Sequence, residues 1–172
     1  MATADKQNAP ALDPVAEVVR LWRSHGMLAI EHLEAATAMM RMQQLMTTSI
    51  DRELRPFRIN NPQFEALLLL YFSPNGAVPL GRMGRRLMVH PATVTNTIDQ
   101  LQSKGLVERV RSEEDRRLVF AKLTPRGHKV VIGATEALTE MKFGIAEMTL
   151  DEATAVAQAI SAFRTRIGDY AE

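Results

Sequence analysis

The sequence contains no cysteine, so disulfides, thiolate nucleophiles, cysteine zinc sites and thiol-based redox sensing are excluded together. No apolar run approaches the roughly 20 residues that a membrane span requires. The opening stretch, MATADKQNAP, lacks the basic and apolar regions of a signal peptide. These absences predict a cytoplasmic protein with no membrane partner. There is also no Gly-rich phosphate loop, no G-x-S-x-G and no pair of carboxylates in a plausible loop, so catalysis has no candidate residues and the protein is not expected to be an enzyme. Nothing calls for a cofactor. His25 and His32 lie near Glu31, but His90 and His128 fall in other elements and neither HxxxH nor HExxH occurs, so no metal site is expected.

What is present is an ordinary globular composition, 46% hydrophobic in 172 residues and 19.2 kDa, enough for one domain with helical extensions. The net charge of +1 hides an uneven distribution. Between Leu80 and Val130 there are eleven Lys or Arg against five Asp or Glu, giving +6, and the rest of the chain is −5. A solvated face would account for such a run as readily as a partner. If there is a partner, it is a polyanion.

Punctuation places the elements. Residues 1–12 read as a disordered arm. Asp13 followed by Pro14 is an N-cap with proline at the first helical position, opening a helix that ends near Gly26. A proline-free stretch to Arg55 keeps a helical apolar period, and its methionines, Met39, Met40, Met42 and Met46, suit a core or dimer interface better than an effector pocket. Asn61 with Pro62 repeats the cap signature before the buried helix QFEALLLLYF, which the loop SPNGAVP stops.

LGRMGRRLM is a short helix with Leu80, Met83 and Leu87 on one side, and Gly84 within it implies that another group packs closely there. His90 precedes proline and so leaves the α region, and Pro91 opens the next helix. Two short helices around a tight turn make a helix-turn-helix. In the second, Val94, Ile98 and Leu101 face the core, whereas Thr93, Asn96, Thr97, Gln100 and Lys104 share another face. That face holds amides, hydroxyls and one cation, and Asp99 lies off it. Such a surface can pair with base edges without repelling phosphates.

After Gly105 the period changes to strands: LVERVR and RLVFAKL bracket SEEDR, a two-stranded ribbon or wing with Asp115, Arg116 and Arg117 at its tip. There Asp115 could hold a guanidinium extended for a minor groove. Thr124 and Pro125 open another helix, with Val130, Ala134, Leu138, Met141, Ile145 and Met148 on its apolar side. Thr149 through Glu152 is a capping box for a last helix ending by Gly168. The expected fold is mainly α with a small β-hairpin wing, a winged helix-turn-helix flanked by a helical dimerisation bundle. Its parts are the arm 1–12, N-terminal helices 13–60, a DNA-binding domain 61–127 and C-terminal dimerisation helices 128–172.

This order, with NPQFEALLLL, LGRMGRRLMVHPATVTNTIDQLQSKGLVERV and EEDRRLVFAKLTPRG, resembles the MarR family of bacterial transcriptional regulators from about Met39 onward. The resemblance implies a triangular homodimer that binds a palindromic operator on double-stranded DNA, most simply as a repressor that responds to a small-molecule effector. It places base contacts on Ala92, Thr93 and Asn96, phosphate contacts on Thr95 and Thr97, and the minor-groove arginine on Arg117, buttressed by Asp115. Asn96 stands where many members carry arginine; it could pair with adenine but cannot grip guanine as arginine does. The helix from Asp13 resembles an addition in the family's urate-responsive branch, which makes Trp22 a candidate wall of the effector site. The alternative is a winged-helix module that contacts proteins and reads no DNA sequence.

Overall fold

The structure, a computed structural model, describes residues 13–112, 115 and 118–169; the arm expected over 1–12 lies outside them. The chain divides between Thr47 and Thr48 into two compact units. The first holds helix α1 (Pro14–Ser24) and most of helix α2 (Ile30–Leu54). Asp13 caps α1, its carboxylate accepting the Val15 N–H at 3.0 Å, and Gly26 at φ 66° stops it. α2 runs 25 residues without proline or glycine, and Leu54 is its only buried residue. Of the methionine stripe, Met39 and Met40 are about half exposed, and Met42 and Met46 are partly buried.

The second unit contains α3 (Asn61–Tyr71), β1 (Ala77–Pro79), α4 (Leu80–Leu87), α5 (Pro91–Ser103), β2 (Val107–Arg111), β3 (Val119–Leu123), α6 (Pro125–Glu140) and α7 (Leu150–Arg166). Its core gathers Leu67 and Leu70 of α3, Met83 of α4, Ile98 and Leu101 of α5 and Leu138 of α6, all essentially inaccessible. Each contributes about 1.5–3 kcal/mol by leaving water, so the helix-turn-helix is held as one packed body. Gly127 lets the start of α6 approach the Leu106 carbonyl, where an added Cβ would lie 2.0 Å from the oxygen.

Three sequence expectations are corrected. The cap of α3 is Asn60, not Asn61: Asn60 is extended, its side chain accepts the Gln63 N–H at 3.1 Å, and Gln63 returns the bond to complete a capping box. Asn61 already belongs to the helix and gives its N–H to Asp51 at 2.7 Å. The wing is not an isolated two-stranded ribbon, because Ala77–Pro79 adds a third antiparallel strand in the order β1-β3-β2. Val78 lies opposite Ala121 and both are buried, but three residues ending in proline are too short to show alternation in the sequence. Finally, α6 ends at Glu140, before Ile145 and Met148. Lys142, Phe143 and Gly144 all take positive φ, and that left-handed run cannot extend a right-handed helix.

α7 begins with the expected capping box, Glu152 Oε2 accepting the Thr149 N–H at 2.8 Å. None of its residues is buried, although Leu150, Val156, Ile160, Phe163 and Ile167 are apolar. Among the described residues, no helix is long and apolar enough to cross a membrane.

Candidate nucleic-acid interface

The turn between α4 and α5 is built from backbone requirements. Met88 takes the left-handed conformation (φ 53°, ψ 39°), and His90 is extended ahead of Pro91. His90 is also the N-cap of α5, its Nδ1 accepting the Ala92 N–H at 3.2 Å. The close approach expected at Gly84 is present: a Cβ there would stand 3.0 Å from the Val89 carbonyl oxygen and 3.7 Å from Val94 Cγ2. α4 and α5 are thereby clasped at the turn.

Burial splits α5 into two faces. Val94, Ile98 and Leu101 are buried, while Ala92, Thr93, Thr95, Asn96 and Gln100 are exposed and Thr97 is half-buried. Thr95 back-bonds to the Pro91 carbonyl at 3.2 Å, a bond its hydroxyl must give up to donate to a phosphate oxygen. Asp99, the one carboxylate on α5, pairs with Arg109 of β2 at 2.6 Å. That bridge ties helix to wing and removes a negative charge from the approach to the outer face.

Lys104 does not lie outward with Asn96 and Gln100, where its helical spacing predicts it. Its ammonium turns inward, donating to the Arg58 carbonyl at 2.8 Å and to Gln63 Oε1 at 2.7 Å. α5 stops at Ser103, and Arg58, in a left-handed turn (φ 59°), presents a carbonyl that needs a donor. Burial, with the Arg58 charge beside it, holds the Lys104 ammonium below the usual lysine range. Gln63 is only 3% exposed and passes the contact on, Nε2 donating to Gln100 Oε1 at 2.6 Å. Gln100 Nε2 then donates to Asn96 Oδ1 at 3.2 Å. The sequence assigned Gln63 no role; its spacing from Asn60, three residues as a capping box demands, was the available signal.

At the wing tip the Asp115 N–H donates to Ser112 Oγ at 3.2 Å, and its carbonyl accepts the Leu118 N–H at 2.9 Å. Asp115 is exposed; Arg116 and Arg117 lie outside the described residues. Trp22 belongs to the first unit. Its Nε1–H donates to the Leu28 carbonyl at 2.9 Å, and with Val18, Leu21, His25 and Met27 it lines a shallow apolar cleft of about 190 Å³. Among the described residues no group of three or more His, Asp or Glu is placed to hold a metal ion.

Comparison with known proteins places this geometry. The model of the MarR family matches residues 59–119, from the end of the α2–α3 connection to the start of β3. YhbI of Bacillus subtilis, described as an uncharacterised HTH-type transcriptional regulator, is 30% identical over 122 residues, covering 65% of this chain and 78% of its own length. For other curated relatives the matched region is between about half and two thirds of their length, as with 52% of YsmB and 67% of YdgJ from the same species. Among solved structures, Sco5413, a MarR family transcriptional regulator from Streptomyces coelicolor, superposes with a TM-score of 0.77 at 34% identity, over 84% of this chain and 100% of that one. S. aureus MepR, solved as a DNA complex, shares the fold at a TM-score of 0.69 and 22% identity, over 76% and 96% of the two chains.

Proposed function

The chain belongs to the MarR family of transcriptional regulators, and on that premise we propose that it binds a palindromic operator as a homodimer and releases it on binding a small organic ligand. The observation that carries this reading is the outer face of α5: exposed hydroxyls and amides on a helix whose only carboxylate is neutralised by the wing. Ala92, Thr93 and Asn96 would meet base edges, Thr95 and Thr97 phosphates, with Gln100 beside them. Arg117, with Arg116 next to it and Asp115 to buttress it, would enter the flanking minor groove.

Variants of these two surfaces test the assignment, since they should fail differently. Asn96→Ala is expected to lose about 1–3 kcal/mol on the preferred palindrome and to relax the preference at one position per half-site, with little change in salt dependence. Arg117→Ala should weaken binding to every duplex and make the salt slope shallower by about one unit, while discrimination largely survives. Titrations on the palindrome and on a scrambled duplex across a salt series measure both. The opposite pattern would mean that α5 is not the reading element.

The ligand reading rests on Trp22, whose ring forms one wall of the apolar cleft while its N–H is already satisfied by Leu28. Such a wall suits an aromatic compound. A ligand that lowers operator affinity should change Trp22 fluorescence, and Trp22→Phe should bind it more weakly. If neither changes, Trp22 does not line the effector site.

A further inference from the structure

We propose that Gln63, buried beneath α5, sets which way the Asn96 carboxamide faces and so which bases Asn96 accepts; this rests on the reading of α5 as the element that meets base edges. The hydrogen bonds run in one direction, from Lys104 Nζ to Gln63 Oε1, from Gln63 Nε2 to Gln100 Oε1 and from Gln100 Nε2 to Asn96 Oδ1. A carboxamide is nearly the same shape either way round, so its orientation is decided by its partners. Here the first partner is an ammonium, which has donors and no acceptor. Lys104 therefore requires the oxygen of Gln63, leaves its nitrogen for Gln100, and passes the same demand through Gln100 to Asn96. The Asn96 oxygen is engaged, and its NH₂ group is left to donate beyond the chain.

The first links are well anchored. The Arg58 carbonyl holds Lys104 from a second side, and the Asn60 N–H also donates to Gln63 Oε1, at 3.4 Å. Little water reaches Gln63 to compete, since it is 3% exposed. In the major groove each base pair offers a keto oxygen on guanine or thymine and an amino group on cytosine or adenine. An outward NH₂ finds acceptors on guanine, on thymine and at adenine N7 but none on cytosine, so it selects against cytosine on the contacted strand. With its oxygen held by Gln100, Asn96 does not make the two-bond pairing with adenine that its residue type suggests.

Two substitutions should reverse that choice. Gln63→Glu keeps an acceptor for Lys104 but has no donor for Gln100, which must turn its nitrogen inward and its oxygen towards Asn96. Asn96 then donates to Gln100 and presents its own oxygen outward. Gln100→Glu reaches the same end from an exposed position, because a carboxylate can only accept from Asn96, and it keeps the test open if a carboxylate at position 63 impairs folding.

The experiment selects binding sites from a random duplex pool with the full chain and both variants. The expected result is guanine or thymine, with cytosine excluded, at one position of each half-site for the unaltered protein. Both variants should admit cytosine at that same position, moving its ratio to guanine and thymine by about tenfold, with other positions unaltered. A general weakening by the added negative charge cancels in that ratio. Variants that select the original motif, or that shift different positions, overturn the role of Gln63 while leaving α5 as the reader. An unaltered protein that selects no motif overturns the reading of α5 itself.

Discussion

Gly127→Ala should destabilise the second unit by about 3 kcal/mol or more and lower its melting temperature by roughly 10 °C, an effect far larger than the substitution of one hydrogen by a methyl suggests. The added Cβ would lie 2.0 Å from the Leu106 carbonyl oxygen and 2.9 Å from Leu123 Cδ1, and the first of these is backbone that cannot rotate away. The same oxygen accepts the Thr124 N–H at 3.1 Å and the Thr124 hydroxyl at 3.1 Å, and that hydroxyl in turn caps α6 at the Gly127 N–H. Pushing α6 away therefore breaks a cap as well as a contact. Gly81→Ala is the control, since nothing lies within 4 Å of its Cβ position in α4. It should stabilise by up to about 1 kcal/mol through helix propensity. Urea or thermal unfolding of the two variants should move in opposite directions, and equal losses would contradict the close approach at Gly127.

Phe163→Glu, alone or with Ile160→Glu, is expected to convert a dimer into monomers and to lower affinity for the full palindrome by about 100-fold or more. Val156, Ile160, Phe163 and Ile167 recur at intervals of four, three and four residues, one side of a helix, and each is at least 41% exposed. A 17-residue helix with no buried residue and such a side has a surface that a second copy of the chain would cover. A carboxylate placed there leaves an unpaired charge inside the interface. Losing the dimer then removes the second half-site's contribution, since linked sites gain about 10²–10⁴ in avidity. Sedimentation and operator titration read the two effects together. A variant that sediments as a dimer and binds normally would place the interface elsewhere.

The elements that were legible in the sequence are those whose signals are local. Asp13-Pro14, Thr124-Pro125 and the Thr149–Glu152 box announce helix starts because each motif satisfies its own first turn. Val94, Ile98 and Leu101 could be assigned to the core by period alone, which also separated off the polar face of α5. Features decided by distant partners were not legible. β1 exists because Val78 lies opposite Ala121, forty-three residues on, and Lys104 points inward because the Arg58 carbonyl needs a donor. Gln63 falls between these cases: its cap was written in the spacing from Asn60, but its bonds to Gln100 and Lys104 depend on how α3 packs against α5.

The Asp99–Arg109 bridge has an implication for how an operator could change over generations. On the proposed reading α5 and the wing meet one duplex from a single body, since this bridge spans elements whose Ile98, Leu101 and Val107 already share one core. The distance between what each touches is then a fixed length. Point changes in the flanks would be absorbed one contact at a time. An inserted or deleted base pair between helix and wing contacts would instead shift the wing by about 3.4 Å and part of a turn and cost all of its contacts at once. The binding sites of this regulator should therefore drift in letters while holding their length.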